Sequence, residues 1–213
     1  HDLAELRRCT SAGEPLNPEV IEAWKRTIGL EIHEGYGQTE SVILIGTFAG
    51  MTPRYGAMGK PSPLFEIAVI DNDLSPVPPG TEGDIAVRVK PVHPLGLFAG
   101  YHDDDDLNAE VFRGEWYLTG DRAYVDEDGY FWFVGRSDDV IKSCGYRIGP
   151  FEVESALVEH EAVAEAAVIG VPDRMKGQRI KAFVILKKDC EPSPSLARRL
   201  QEHVLSVTAA YKC

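Results

Sequence analysis

Residues 116–148, WYLTGDRAYVDEDGYFWFVGRSDDVIKSCGYRI, decide how the rest of the chain is read. Tyr117, Thr119 and the residues up to Val125 have strand character. The DEDG at 126–129 is a turn, with Gly129 suited to a positive φ. Residues 130–134 return as an aromatic-rich strand, which completes a β-hairpin. The apolar signal then stops at Gly135, Arg136, Ser137, Asp138 and Asp139. A glycine and four polar residues between two well-patterned segments mark where one packed unit ends and another starts. Asp121 follows Gly120 at the turn-like end of the first strand, and Arg136 stands just past the end of the second. The hairpin is therefore expected to bring a carboxylate and a guanidinium to one edge, a pair that suits a sugar diol beside a phosphate. Taken alone, the same two residues read as a surface ion pair.

Working outward, 213 residues suffice for one large domain or two small ones with a real core. The formal charge of −12 argues against nucleic acid or an anionic membrane as partner. No apolar run reaches the length of a membrane span, and the start HDLAELRRCT lacks the shape of a signal peptide. Cys9, Cys144, Cys190 and Cys213 have no metal-type spacing and no CxxC, so reduced thiols in an intracellular setting are expected. The sequence opens in mid-pattern and closes on AAYKC without a final element, as expected of a piece of a longer chain.

Towards the N-terminus, Asn17 and Pro18 read as N-cap and first position of a helix carrying Val20, Ile21, Trp24 and Ile28, with Gly29 ending it. Residues 30–33 form a short strand that delivers EGYGQTE at 34–40. Two glycines around a tyrosine let backbone approach a ligand closely. Thr39 and Glu40 set a hydroxyl beside a carboxylate, which suits phosphate oxygens and a hard cation, and suits a helix cap equally. Residues 42–48 read as strand or core, 51–63 as a loop, and 65–71 (FEIAVID) and 84–89 (DIAVRV) as strands. The aspartates at 103–106 read as a solvated loop. After Ile141 the pattern changes: 145–149 is a loop, and Pro150 opens a helix with Val153, Ala156 and Leu157 on one face. Residues 164–171 and 180–186 are strands, and Ser193 or Ser195 caps a helix with Leu196, Leu200, Val204 and Leu205. The class expected is α+β: a small antiparallel β-barrel-like subdomain, then a C-terminal α+β domain with helices on one face of a small sheet.

Together, SAGEP, YGQTE, WYLTGD, GRSDDVIKSCGYRIGP with FEVE, and the closing AAYK resemble the adenylate-forming superfamily of acyl-CoA synthetases, luciferases and peptide-synthetase adenylation domains. GYGQTE, RSDDVIK and GYRIGPFEVE look most like the medium-chain acyl-CoA synthetase branch. The resemblance implies that Gly13, Glu14 and Pro15 lie against an adenine, with Glu34, Gly35 and Tyr36 on its other side. It implies Thr39 on the α-phosphate, Glu40 on Mg²⁺, and Asp121 and Arg136 on the ribose. Asp138 matches the hinge, at 136–140, about which a mobile C-terminal domain (141–213) rotates against the large-domain part (1–135). Gly145 matches a loop lining the pantetheine tunnel, and Arg147 a phosphate or CoA contact. Gly37, Gln38 and Ser41 fall beside the acyl pocket. Acetate-specific relatives carry Trp where Gly37 stands, so a longer acyl group is expected to fit, and Gly37→Trp is expected to shorten the preferred chain. The reaction implied uses ATP, Mg²⁺, CoA and a small carboxylate, giving an acyl-adenylate and then a thioester. The setting implied is the cytoplasm, or an organellar matrix in a eukaryote. The family's phosphate loop and its catalytic lysine match no segment of this sequence. Two other readings stand beside it: a noncatalytic nucleotide-binding fragment, and an adenylation unit that loads a carrier protein. Cys144 stands where relatives often have Ser, and Ala210 where they often have Pro.

Overall fold

The computed structural model describes residue 3 and residues 5–208; the AAYK motif at 209–212 lies outside the described residues. The chain divides into two compact units, His1–Phe133 and Val134–Cys213.

In the first unit β1 (Cys9–Ala12) leads by a loop to α1 (Pro18–Ile28) and β2 (Ile32–Tyr36). Then come β3 (Ile45–Gly46), β4 (Ala57–Pro61), β5 (Ile67–Ile70) and β6 (Gly83–Arg88). A short helix, α2 (Asp105–Val111), precedes β7 (Phe112–Arg113), β8 (Trp116–Val125) and β9 (Phe131–Arg136), whose residues 131–133 belong to this unit. The strands hydrogen-bond in the order β1-β2-β3-β4-β9-β8-β6-β5, with β7 on β8. β1 and β2 pair parallel, while β2 with β3, β3 with β4, β5 with β6 and β6 with β8 pair antiparallel. The expected α+β class holds, and the sheet is open between β1 and β5 among the described residues.

Local chemistry explains the elements. Asn17 accepts from Glu19 N at 2.9 Å, Pro18 takes the first helical position, and Gly29 closes α1 at φ 79 with its N–H on Lys25 O. The hairpin turn at 126–129 closes with Asp126 N on Tyr130 O at 2.9 Å and Gly129 at φ 82. Arg54 pins this turn from loop 51–56: Nη1 donates to Asp126 at 2.7 Å, Nη2 to Asp128 at 2.5 Å, and the guanidinium covers the Tyr130 ring at 4.3 Å. Leu44, Ile45, Phe65, Ile85, Val87, Tyr117 and Phe131 form the core under the sheet. Residues 51–63, expected as loop, contain β4. The aspartate run is not all loop, because Asp104 caps α2 by accepting from Leu107 N at 3.0 Å.

The second unit is a separate α/β sandwich of two layers. β10 (Ile141–Ser143) and β11 (Tyr146–Ile148) form a tight hairpin, and α3 (Pro150–Glu159) leads to the long strands β12 (Val163–Asp173) and β13 (Gly177–Leu186) and then to α4 (Pro194–Val207). The sheet order is β11-β10-β13-β12. Val153, Ala156 and Leu157 of α3 and Leu196, Leu200 and Val204 of α4 share one core with Ile141, Ile148, Val163 and Val168. Each such buried Val, Leu or Ile side chain contributes about 1.5–3 kcal/mol. Residues 146–148, expected as loop, are strand β11, and Leu205 is exposed rather than on the buried face.

Candidate functional site

The site grows from two neighbouring strand ends. β1 and β2 run parallel, with Ser11 opposite Glu34 and Ala12 opposite Gly35. The SAGEP loop and the GYGQTE segment therefore leave the sheet side by side, beyond carboxyl ends of strands, where α/β sheets place ligands. Gly13 sits at φ 101 with open space at its missing Cβ, and Glu14 and Pro15 are exposed. Glu34 ties loop to strand, for Leu16 N donates to its Oε1 at 3.3 Å. Burial outweighs that bond and pushes the Glu34 carboxyl up to about 7.

Past Tyr36 the chain reverses in a turn. Ser41 N donates to Gln38 O at 3.1 Å, and Gln38 N donates to Ser41 Oγ at 3.1 Å. Thr39 occupies the exposed corner. Glu40 is half-buried, and its Oε1 accepts from Tyr101 Oη at 2.8 Å. Tyr101 is clamped in turn by Asn108 of α2: Tyr101 N donates to Oδ1 at 2.7 Å, and Nδ2 donates to Tyr101 O at 2.8 Å. Gly37 faces backbone, since an added Cβ would lie 2.7 Å from Val42 O. Gly37→Trp thus probes how the 37–43 segment packs as well as pocket volume.

β8 supplies the other wall. Asp84 of β6 pairs with Arg122 and Ala86 with Leu118, so residues 119–121 stand against Ile85 alone. This is a bulge, and Gly120 at φ 76 meets the left-handed backbone it demands. Thr119 Oγ1 spans it, donating to Ile85 O at 3.0 Å and accepting from Asp121 N at 3.2 Å. The bulge aims Asp121, which is only 5% exposed, at the β2 segment. Tyr36 Oη donates to Asp121 Oδ2 at 2.5 Å, and Gln38 Nε2 donates to the same oxygen at 2.8 Å and to Thr119 O at 2.8 Å. Tyr117 Oη donates to Gln38 Oε1 at 3.1 Å. Burial and the Asp121 charge hold the Tyr36 hydroxyl well above its ordinary pKa, so it donates as a neutral phenol. The strand runs to Val125 as its residues suggest, and the turn-like character read at Gly120 and Asp121 is a bulge inside β8, not its end.

In the second unit the expected residues are exposed, Asp138 and Gly145 on turns and Arg136 and Arg147 on the strands beside them. Arg136 Nε donates to Asp138 Oδ1 at 3.3 Å, and Asp139 N and Val140 N donate to Arg136 O. Gly145 (φ 84) shares the two-residue turn of the β10–β11 hairpin with Cys144 (φ 51). Arg147 is exposed on β11 opposite Lys142.

The structure thus gathers Tyr36, Gln38 and Asp121 into one hydrogen-bonded cluster and gives Glu34 and Glu40 partners of their own. Sequence reasoning missed Tyr117, Thr119, Tyr101 and Asn108. A signal existed for Tyr117, because a tyrosine in an otherwise buried strand needs a polar partner for its hydroxyl. None existed for Tyr101, which reaches Glu40 across 61 positions. Among the described residues, no cluster of three or more His, Cys, Asp or Glu is arranged to hold a metal alone. Glu40 offers a single steadied carboxylate, which fits Mg²⁺, an ion that takes most of its oxygens from phosphates and water. No helix among the described residues is long and apolar enough to cross a membrane.

The sequence profile of the AMP-binding enzyme family matches residues 1–102, and that of the AMP-binding enzyme C-terminal domain matches residues 152–213. Acyl-coenzyme A synthetase ACSM3, mitochondrial, of Rattus norvegicus is 56% identical over 209 residues, 97% of this chain and 36% of that protein. Acyl-coenzyme A synthetase ACSM5, mitochondrial, of the same species is 52% identical over the same shares. The chain thus spans about a third of the length of these relatives. Among solved structures, the anthranilate CoA ligase AuaEII in complex with anthranoyl-AMP aligns with a TM-score of 0.88 at 40% identity, covering 100% of this chain and 39% of that one. A benzoate CoA ligase from Burkholderia xenovorans LB400 aligns with a TM-score of 0.85 at 37% identity, covering 97% of this chain and 40% of that one.

Proposed function

Because this chain belongs to the AMP-binding, adenylate-forming enzyme family, we propose that it supplies the C-terminal part of an ATP-dependent acyl-CoA ligase for a medium-chain or aromatic carboxylate. The observation that carries the reading is the Tyr36–Gln38–Asp121 cluster, set beside the SAGEP loop by the β1–β2 register. Gly13, Glu14 and Pro15 take one side of the adenine and Glu34, Gly35 and Tyr36 the other. Asp121 accepts from the ribose hydroxyls, as a carboxylate does best, and Arg136 is a cationic contact to the nucleotide. Thr39, at the exposed corner of its turn, offers a hydroxyl to the α-phosphate.

The reaction needs negative charge neutralised while a carboxylate attacks the α-phosphorus. Mg²⁺ bound through Glu40 would supply that neutralisation. Tyr101 and Asn108 keep the Glu40 carboxylate in place for it. The mixed anhydride must then meet CoA before water, which is work for a mobile domain turning on residues 136–140 about Asp138. Gly145 and Arg147 go to the CoA side of that movement, and Gly37 and Ser41 to the acyl pocket. The aromatic option is supported by the anthranilate and benzoate ligases among the structural neighbours. The mitochondrial relatives support an organellar matrix over the cytoplasm as the working compartment.

ATP–pyrophosphate exchange tests the reading on the enzyme at its relatives' full length. Octanoate or benzoate is expected to drive exchange, and Asp121→Ala to lower it at least tenfold, about 1.4 kcal/mol of lost binding. Exchange that no carboxylate stimulates would overturn the proposal.

A further inference from the structure

We infer that Gln38 is a positioning residue that sets Asp121 for the ribose diol, and that its amide is not part of the acyl pocket. The inference rests on the nucleotide reading above. Three contacts define it: Nε2 donates to Asp121 Oδ2 and to Thr119 O, both at 2.8 Å, while Oε1 accepts from Tyr117 Oη at 3.1 Å. The amide has only one sensible orientation. Rotated by half a turn, its oxygen would face a carbonyl and a carboxylate, two acceptors.

Tyr36 and Gln38 do different work on the same oxygen. Tyr36 Oη holds Asp121 Oδ2 from β2. Gln38 ties that oxygen back to Thr119, two residues earlier in β8, and so braces the bulge from which Asp121 projects. A carboxylate held by two donors presents a fixed geometry to a vicinal diol, with no rotamer left to order on binding. Gln38 thereby couples the phosphate-side turn, which carries Thr39 and Glu40, to the residue proposed for the sugar.

The test compares AMP with 2′,3′-dideoxy-AMP by calorimetry on this chain. Unaltered protein is expected to favour AMP about tenfold. Gln38→Leu is expected to bring that ratio close to one. Gln38→Glu sets a second carboxylate against Asp121, so its ratio is lost at pH 8 and recovers near pH 5, where the protonated acid donates again. A ratio in Gln38→Leu equal to that of the unaltered chain overturns the inference. Should the unaltered chain fail to distinguish the two nucleotides, the ribose reading falls. Denaturant melts of Gln38→Leu, Asp121→Asn and the double variant then decide whether the positioning itself stands. Positioning requires the double variant to lose about what one single variant loses; additive losses overturn it.

Discussion

The residues assigned to the proposed reaction are held in two ways. In the first unit three carboxylates are fixed by partners: Asp121 lies in a bulge under Tyr36 and Gln38, Glu40 is steadied by Tyr101, and Glu34 is half-buried against Leu16 N. In the second unit Asp138 and Gly145 ride on exposed turns, and Arg136 and Arg147 are exposed strand residues beside them; backbone sets the shape of these turns, through the Arg136 carbonyl and the positive φ of Cys144 and Gly145. The contrast fits the two tasks proposed for them. A pocket for one fixed sugar gains from side chains ordered in advance. Turns that must change surroundings between two half-reactions gain from a stiff backbone and side chains left at the surface.

The contrast is tested hardest at Gly149, which precedes α3. A Cβ built there would lie 1.9 Å from Val134 O and 2.9 Å from Val134 C, with no flexible side chain to yield. Gly149→Ala is expected to destabilise the second unit by about 3 kcal/mol, seen as an early transition in urea. A melt within about 0.5 kcal/mol of the unaltered chain, the usual surface effect, would break the claim that backbone packing governs this unit.

How much of this was legible beforehand differs in the same way. The caps of α1, the DEDG turn and the buried faces of α3 and α4 were readable because each rests on residues within one or two turns of sequence. α2 was not, since its seven residues bury no side chain and so show no apolar stripe. The bulge at Gly120 was invisible for another reason: a bulge is a mismatch between β8 and β6, and neither strand alone records it. Asp121, Arg136, Thr39 and Glu40 were legible from residue type and placement and the rest of the site from motif resemblance, whereas the partners Tyr117 and Tyr101 emerged only from the fold. Hydrogen bonds across 61 to 85 positions leave no local pattern.

A smaller effect probes the buried carboxyl of the first unit. Glu34 has its pKa raised from 4.5 to about 7 by burial, so the folded state binds this proton more tightly than the unfolded state. Its contribution to stability is fully present below pH 4.5 and is lost as pH rises through about 7. Glu34→Gln keeps an acceptor for Leu16 N without a charge. Its melting temperature is expected to exceed that of the unaltered chain at pH 8, with the difference closing towards pH 4.5. A difference that does not vary with pH would remove Glu34 from the set of ordered, buried side chains.

Cys144 sharpens the comparison from the other side. Both loop residues of the β10–β11 hairpin have positive φ, the type I′ geometry that Asn-Gly meets best. Cysteine at φ 51 carries the usual left-handed cost of about 1 kcal/mol. Its N–H donates to Lys176 O at 2.9 Å, a bond that any residue except proline retains. Its side chain is exposed. Cys144→Asn is therefore expected to stabilise the second unit by about 0.5–1 kcal/mol, read as a higher urea midpoint with unchanged slope. Cys144→Ser, which keeps the conformational cost, should gain nothing. If both variants lose stability, the thiol itself makes a contact that matters, and the turns of this unit are not governed by backbone geometry alone.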